Sequence, residues 1–243
     1  MTYGDGIFAG YYNAQRTAKA YVQDGLIAMW DGIENAGWGV HDGNATSWMD
    51  IVNNRAATRY DDTKQPVWGA DHWESTASDE GQAFDATLPS EILGEENLTF
   101  ETVTERFGGD SGRGIICGQY GISGPGGFNL EKYGNATYRA YWNGAPDMSS
   151  PHNTYPKNII KYFAVTRTSP STCRILNETG GVLTQSTGNW VFTGTVWRIG
   201  CDSRITNMCF YGNIYCIRLY NRALTAAEIA HNYAIDKVRF NIQ

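Results

Sequence analysis

The sequence predicts an all-β protein, a β-sandwich or barrel with one short C-terminal helix. Aromatic residues make up 13% of the 243 residues, glycine occurs 28 times, and only 18% of the residues are charged. Strand-length segments rich in β-branched and aromatic residues are separated by Gly, Pro, Asn or Asp at intervals of about 8–12 residues. One segment near the C-terminus has a helical pattern instead. A chain of this length can bury a core as a single domain.

The first part of the chain has the weakest pattern. Residues 1–23 are rich in Tyr, Gly and Ala without a clear period, and we interpret them as an N-terminal arm before one domain at residues 24–243. "GLIAMWDG" (25–32) is a short apolar run closed by a turn pair, which predicts the first strand. Residues 33–65 are polar and predict long loops, and "PVWGADHW" (66–73) is a second extended candidate.

From residue 97 the strand pattern is regular. The segments that combine strand length with β-branched and aromatic residues are 97–107, 113–121, 127–134, 137–144, 158–167, 173–181, 195–201 and 210–221. In the last of them, apolar residues occupy both faces, which is typical of an inner strand.

"LTAAEIAHNYAIDKV" (224–238) predicts the helix. Thr225 and Glu228 form a capping box, in which the Thr side chain caps the Glu amide and the Glu side chain reaches back. We expect Ile229, Tyr233 and Val238 to form its apolar side.

Charge and hydrophobicity exclude two classes of partner. The net charge is −6 and no basic patch stands out, so we expect no nucleic-acid binding. No window approaches 18 consecutive apolar residues, so we expect no membrane span. The N-terminus lacks an early Lys or Arg followed by an apolar run and does not have the pattern of a signal peptide.

The chain has an odd number of cysteines, and none of them forms a Cys-x-x-Cys pair. The five are Cys117, Cys173, Cys201, Cys209 and Cys216. Zinc sites need closer, paired ligands. Several of the cysteines lie inside apolar strand-like runs, where a free thiol acts as a small hydrophobe. We therefore predict buried free thiols and folding in a reducing compartment.

The C-terminal third resembles the closing segment of laminin G-like domains of the concanavalin A-like lectin/glucanase superfamily. The matching motifs are Ile199-Gly200, "FYGNI" (210–214), "YNRALT" (220–225) and Glu228-Ile229. Upstream, "SWMDIVNN" (47–54) and "GQAFD" (81–85) resemble the family's Trp-x-Asp loop and Phe-Asp strand. The resemblance covers residues 25–236 and implies a two-sheet antiparallel β-sandwich (jelly roll). In it, Arg222 would orient the turn into the helix, and Leu224 and Ile229 would hold the helix on the sandwich.

"GGDSGRG" (108–114) has part of the nucleophile motif of trypsin-like proteases, and His41 and His72 precede it. More than half of the chain follows Ser111, and neither histidine has the expected sequence context. A triad would still need these groups to meet in space. The resemblance instead implies a turn between two adjacent strands, for which Gly, Asp and Ser are suited.

A glycosidase would need two carboxylates facing one cleft. Glu101 and Glu105 share a strand face but lie about 13 Å apart at roughly 3.3 Å per residue, whereas hydrolysis uses separations of about 5 to 9.5 Å. We expect two exposed carboxylates on a half-solvated sheet. A hydrolase with atypical carboxylates is retained as an alternative.

Calcium is a candidate cofactor because many members of the superfamily bind it through loop oxygens. The acidic loop residues available are Asp31, Asp42, Asp50, Asp61 and Asp62. No EF-hand spacing is present, so such a site would be assembled from separate loops. We expect Asp50 to brace its own loop instead.

Carbohydrate is the favoured ligand class, since sugars stack on flat aromatic faces and bind planar polar side chains. In "TYRAYWNG" (137–144), Tyr138, Ala140 and Trp142 share one face, and Arg139, Tyr141 and Asn143 share the other. One face must enter the core, and the Arg139 face is the better candidate for the open side. Trp38 and Trp73 lie in polar, Gly-rich surroundings, so we expect both to be exposed. The candidate site residues are Arg139, Tyr141, Asn143, Trp142, Trp38 and Trp73.

The resulting hypothesis is a non-catalytic carbohydrate-binding or adhesion module. The opening of the domain is similar to proteins encoded by gut bacteria and their prophages, which implies a virion, tail or cell-surface location after cytoplasmic folding. Residues 1–23 would then dock onto a neighbouring subunit. A purely structural assembly or decoration module is the main alternative.

Overall fold

The computed structural model describes residues 19–61, 63–75, 83–92, 95, 97–108, 112–119, 128–142, 148–168, 172–188, 196–201 and 208–243. Within these residues, two antiparallel sheets pack face to face, and a C-terminal helix follows the last strand. The predicted two-sheet antiparallel β-sandwich with a short C-terminal helix is therefore confirmed.

In chain order the strands are β1 (Leu26–Asp31), β2 (Ser47–Met49), β3 (Ala56–Arg59), β4 (Val67–Trp68), β5 (Trp73–Ser75), β6 (Phe84–Thr87), β7 (Leu98–Arg106), β8 (Gly114–Gln119), β9 (Phe128–Tyr133), β10 (Thr137–Trp142), β11 (Met148–Ser149), β12 (Ile160–Arg167), β13 (Thr172–Leu176), β14 (Val182–Thr187), β15 (Val196–Ile199) and β16 (Gly212–Tyr220). A 3₁₀ turn spans Ser90–Ile92, and the helix, α1, spans Ala226–Arg239.

The strands divide into two sheets. Sheet A has the order β14-β13-β12-β7-β16-β5-β4, with β1 also paired to β16. Sheet B has the order β11-β10-β9-β8-β15-β6-β3-β2. Because β16 pairs with β7 on one side and with β1 and β5 on the other, it is the inner strand that its two apolar faces predict.

Every strand predicted from residue 97 onward is present, and the first predicted strand corresponds to β1. The prediction of loops throughout residues 33–65 is wrong, because β2 and β3 lie there and pair with each other. Both strands are short, and Trp48 and Ala57 are their only buried residues, so no period is visible in the sequence. The extended candidate at 66–73 is divided between β4 and β5.

The main core fills the space between the sheets with aromatic side chains. Trp30 of sheet A contacts Trp197 of sheet B, with ring centroids 5.2 Å apart. Phe100 and Phe128 make a second contact between the sheets at 4.7 Å. Such pairs add to the area that each ring buries.

A second apolar cluster lies on the other side of sheet A, beneath α1. It contains Tyr21, Tyr162, Leu224, Ile229 and Phe240 among its buried residues. The structure therefore has three layers, sheet B, sheet A and the helix. Tyr21, which the sequence assigns to the arm, is buried in this cluster, and residues 1–18 lie outside the described part.

The buried face of α1 is partly polar, which the sequence did not predict. Val238, expected on the apolar side, is 82% exposed, whereas Asn232 and Asp236 are fully buried. The reason is the cation opposite them. Arg218 of β16 lies on this side of sheet A, and its Nη1 donates to Asp236 Oδ1 over 2.8 Å.

Glu101 completes this buried network. Arg218 Nε donates to Glu101 Oε2 over 2.6 Å, and Asn232 Nδ2 donates to the same oxygen over 2.9 Å. Tyr162 Oη also donates to the Glu101 carboxylate. The prediction of an exposed Glu101 is therefore wrong, since α1 covers this part of β7. Buried charges of this kind need partners on every side.

The turn between β16 and α1 agrees with the prediction. Arg222 Nη2 donates to Glu228 Oε1 over 2.6 Å, and Arg222 Nε donates to the Asp24 carbonyl over 2.9 Å. Thr225 and Glu228 form both hydrogen bonds of the capping box. Leu224 and Ile229 are buried against the sandwich.

The prediction that all five cysteines are free is wrong. Cys201 and Cys209 form a disulfide, whereas Cys117, Cys173 and Cys216 are buried free thiols. The backbone brings the pair together, because Phe210 N–H donates to the Gly200 carbonyl over 2.7 Å, which places the two cysteines side by side. Burial raises the pKa of all three free thiols. Among the described helices, none has the length and apolar character needed to cross a membrane.

Candidate functional site

The outer face of sheet B carries the candidate site. Tyr138 and Ala140 of β10 are buried in the main core. Since side chains alternate along a strand, Arg139 and Tyr141 lie on the opposite, outer face. These two residues therefore lie on the side that was predicted to be open, where Arg139 is buried and Tyr141 is half-buried. Asn143 and the side chain of Trp142 lie outside the described part of the chain.

A buried carboxylate organises this face. Glu131 of β9 pairs directly across the strands with Arg139, and the two side chains form an ion pair. From the end of the neighbouring strand, Arg113 donates to Glu131 Oε2 through Nε over 2.9 Å and Nη2 over 2.8 Å. Burial raises the pKa of Glu131, and the two guanidiniums oppose part of that rise.

A tyrosine ring lies over this ion pair. The guanidinium carbon of Arg139 is 3.8 Å from the centroid of Tyr133, whose residue is 39% exposed. Because the buried Arg139 occupies one face of the ring, a ligand that stacks on Tyr133 would use the opposite face. The same guanidinium lies 5.2 Å from the half-buried ring of Tyr141, and that of Arg113 lies 5.6 Å from it. We call Arg113, Glu131, Tyr133, Arg139 and Tyr141 the tyrosine platform.

The tyrosine platform can offer a flat ring with a fixed orientation. Contacts between a guanidinium and an aromatic face contribute about 0.5–2 kcal/mol, depending on solvent exposure. The ion pair below it fixes Arg139 in turn, so Tyr133 loses little conformational freedom when a ligand stacks on it. Within the platform, two guanidiniums surround one carboxylate.

The two remaining tryptophan candidates lie elsewhere. Trp73 is fully buried in the main core, with its ring 5.1 Å from Phe84. The prediction that it is exposed is wrong, because Trp73 begins β5 and its side chain points between the sheets. Trp38 is half-buried and packs against the second apolar cluster, on the α1 side of sheet A. The structure therefore brings Arg139 and Tyr141 together and separates them from Trp38 and Trp73.

The sequence patterns did not identify Tyr133, Glu131 and Arg113 as candidate site residues. A signal for two of them exists in "GFNLEKYG" (127–134), where Glu131 and Tyr133 share a strand face. Their position beside Arg139 depends on the register of the β9–β10 hairpin, which is set by the turn at 134–136. Asn135 and Ala136 in this turn have positive φ angles of 59° and 55°.

The candidate calcium ligands have other roles in the described structure. Asp50 Oδ1 accepts hydrogen bonds from Met29 N–H and Val52 N–H, each over 2.9 Å, so its predicted role in bracing its loop is confirmed. Asp31 forms an ion pair with Arg239. The side chains of Asp42 and Asp61 accept hydrogen bonds within their own turns.

Asp62 is outside the described residues. Within the described ranges, no group of three or more His, Cys, Asp or Glu side chains is placed to hold a metal ion.

A cavity of about 670 Å³ lies at the end of β7, with Asp71, Glu105, Asn158 and Lys161 among its lining residues. Tyr215 Oη donates to Glu105 Oε2 over 3.0 Å. Glu105 therefore faces a cavity, whereas Glu101 is buried beneath α1. The two carboxylates considered for hydrolysis do not share a site.

The protease-like segment does not connect neighbouring strands. Gly109–Ser111 lie outside the described residues, but β7 and β8 on either side belong to different sheets. The expected turn between two adjacent strands is therefore a connection between the sheets. The Nδ1 atom of His72 lies 2.6 Å from Asp71 Oδ1. The Nδ1 atom of His41 lies 3.1 Å from the Gly32 carbonyl oxygen.

No protein-family model matches the chain, and no curated protein matches it in sequence. Solved structures do match its fold. Trypanosoma rangeli sialidase superposes with a TM-score of 0.66 at 10% identity, over 96% of this chain and 39% of the sialidase. The binding domain of Paraclostridial Mosquitocidal Protein 1 superposes with a TM-score of 0.64 at 12% identity, over 86% of this chain and 52% of that chain.

The receptor binding domain of botulinum neurotoxin D also has a TM-score of 0.64, at 13% identity, over 87% of this chain and 52% of that chain. At these identities the likeness shows the fold alone. This chain spans about two fifths to one half of the length of the chains it matches.

Proposed function

We propose that this chain is a non-catalytic carbohydrate-binding module that uses the outer face of sheet B. The observation that carries the proposal is the exposed ring of Tyr133, held on the buried Arg139–Glu131 ion pair beside Tyr141. A flat aromatic ring beside charged and polar groups is suited to a sugar, which presents an apolar ring face and polar edges. The tyrosine ring can pack on the apolar face of the sugar, and the tyrosine hydroxyl can form hydrogen bonds with its polar edge.

The similar structures support a binding role. Two of them are named as a binding domain and a receptor binding domain of toxins. The sialidase is described in complex with sialic acid in a related structure. Sialic acid is a carbohydrate, so its complex with the sialidase supports the ligand class. The candidate residues for this chain come from the tyrosine platform.

The surroundings of Glu131 and Glu101 favour binding over hydrolysis. Glycosidases use two carboxyl groups about 5 to 9.5 Å apart around the bond that is cleaved. Glu131 lies between two guanidiniums, where its role is to hold Arg139 and Arg113. Glu101 is covered by α1 and cannot reach a substrate.

The biological setting is part of the same proposal. We place the module on a virion, a tail or a cell surface, with membership of the laminin G-like group and a gut-bacterial or prophage source. The part of the predicted arm 1–23 that precedes Tyr21 would attach it to a neighbouring subunit, since Tyr21 itself is buried against α1. The same sandwich without a glycan ligand would serve as an assembly module.

A glycan array with purified protein tests the proposal, run with calcium and again with EDTA. We expect binding to at least one class of glycan, and loss of that binding in Tyr133→Ala. Tyr211→Ala is the matched control, because Tyr211 is 41% exposed and packs its ring edge-on against Phe107, and no guanidinium of the described residues lies beneath it.

Three other results would point elsewhere. Absence of binding to every glycan would favour the assembly module. Hydrolysis of a glycan that stops in Glu105→Gln would favour the hydrolase. Binding that is lost with EDTA would require a calcium site.

A further inference from the structure

The outer face of sheet B holds a second tyrosine that lies over a partly buried ion pair. Arg198 of β15 donates to Asp85 of β6 through Nε over 2.6 Å and Nη2 over 3.0 Å, a bidentate pair. The guanidinium carbon of Arg198 lies 3.6 Å from the ring centroid of Tyr60, which is 43% exposed. Arg198 itself is buried. We call these three residues the second platform.

The second platform lies on the same face as the tyrosine platform. Trp197 and Ile199 flank Arg198 and point into the main core, as do Phe84 and Ala86 on either side of Asp85. Arg198 and Asp85 therefore point outward, directly opposite each other in the pairing of β15 with β6. Tyr60 follows β3, the next strand of sheet B.

The strand pairing gives the separation of the two platforms. Tyr141, Asn129, Gly118 and Arg198 lie in one row across β10, β9, β8 and β15. Three strand spacings of about 4.8 Å separate β10 from β15, which gives roughly 14 Å in all. Arg139 lies two residues from Tyr141, which adds about 7 Å along the strand. The Cα atoms of Arg139 and Arg198 are therefore on the order of 16 Å apart.

We propose, resting on the proposed function, that the two platforms are two subsites for one ligand and that the ligand is an oligosaccharide long enough to contact Tyr60 and Tyr133 together. A single sugar unit is too short to reach both rings. Once one sugar unit stacks on the first tyrosine ring, the contact of another unit with the second ring is intramolecular. That second contact benefits from a high effective concentration. The repeated arrangement of tyrosine, arginine and carboxylate supports equivalent roles for Tyr60 and Tyr133.

The test is the dependence of affinity on ligand length. Titration calorimetry would use two size-graded series, acidic oligogalacturonides and neutral chito-oligosaccharides, each from monosaccharide to hexasaccharide, together with the matching series of any glycan identified on the array. The proteins are the unmodified chain, Tyr60→Ala, Tyr133→Ala, the double variant and the control Tyr211→Ala. Tyr60→Phe and Tyr133→Phe keep the ring and show whether stacking is the cause.

For the longest ligand that binds, we expect each Ala variant to lose about three- to tenfold in affinity, in line with a single aromatic stack. The double variant should lose more than either, and both Phe variants should bind nearly as well as the unmodified chain. Affinity should rise with length in the unmodified chain and stop rising in Tyr60→Ala.

Two results would overturn the inference in different ways. If Tyr60→Ala binds every length normally while Tyr133→Ala is weakened, the ligand uses one platform, and the proposed function stands without the second subsite. If the unmodified chain binds no glycan, or Tyr133→Ala binds as well as the unmodified chain, the proposed function fails and the second subsite fails with it.

Discussion

Arg139 lies beneath the ring of Tyr133 on the outer face of sheet B, with its guanidinium carbon 3.8 Å from the ring centroid. The two residues belong to neighbouring strands, and Glu131 holds the guanidinium from below. The exposed ring therefore depends on a buried ion pair for its orientation. This dependence links the hairpin register to the proposed glycan site.

Replacing Arg139 by lysine should weaken glycan binding while leaving the fold intact. Lysine keeps a positive charge near Glu131, so Glu131 retains a partner. It lacks the planar guanidinium that stacks under Tyr133, so the ring becomes more mobile. We expect a loss of about three- to tenfold in affinity, as for one cation–π contact. Calorimetric titration would measure it, and unchanged affinity would show that Arg139 does not position the ring.

Arg218 should be the most stability-critical arginine of the sandwich. Arg218→Met would leave Glu101 and Asp236 buried without their cation, which costs about 3–5 kcal/mol of the free energy of unfolding. Arg222→Met is the control, because its ion pair with Glu228 is partly exposed. The control should cost at most about 1 kcal/mol. Urea unfolding would compare the two, and equal losses would contradict the role assigned to the buried network.

Glu34 should make the chain less stable as the pH rises. Burial raises the pKa of Glu34 to about 7 from an ordinary value of 4.5, and repulsion from Asp31 adds to the rise. The folded chain therefore binds a proton that the unfolded chain releases, so stability falls as the pH rises from about 4.5 to about 7.

Glu34→Gln should remove this loss, so its Tm relative to the unmodified chain should increase between pH 5 and pH 8. The control is Glu228→Gln. The pKa of Glu228 is lowered to about 2, chiefly by its hydrogen bond with Arg222. Its effect on Tm should be nearly constant over the same range. A Glu34→Gln difference that does not change with pH would show that Glu34 is already ionised in the folded chain.

Gly212 should tolerate no side chain. Its φ is +149°, and a Cβ atom there would lie 2.0 Å from the Glu105 carbonyl oxygen of the neighbouring strand. Gly212→Ala must push β16 away from β7, at a cost of about 3 kcal/mol or more. Gly43→Ala is the control, since no atom lies within 4 Å of its added Cβ. Chemical denaturation of both variants would check this, and equal stability would contradict the close approach of the strands.

Local patterns in the sequence predicted most of the fold. Alternation and turn residues located the strands from residue 97 onward, and Thr225 and Glu228 located the start of α1. The polar side of the sheet A–helix interface could not be predicted, because Glu101 and Arg218 are 117 residues apart in sequence. The period of α1 likewise pointed to Val238, since nothing local shows that a buried cation faces Asp236.

The candidate site was predicted in part for the same reason. Arg139 and Tyr141 follow from alternation within one strand, and the structure places both on the outer face. Tyr133 required the register of a hairpin, and Tyr60 required the order of strands in sheet B. Trp73 was assigned to the surface from its polar neighbours, although β5 directs its side chain into the core.

The most direct measurement is the affinity of Tyr133→Ala and Tyr133→Phe for the glycan that the array identifies, with Tyr211→Ala measured alongside. The account predicts that Tyr133→Ala loses about three- to tenfold or more, as expected for a lost aromatic stack. Tyr133→Phe and Tyr211→Ala should bind as the unmodified chain does. Normal binding by a folded Tyr133→Ala would contradict the account, because the ring on which the proposed site is built would then have no part in recognition.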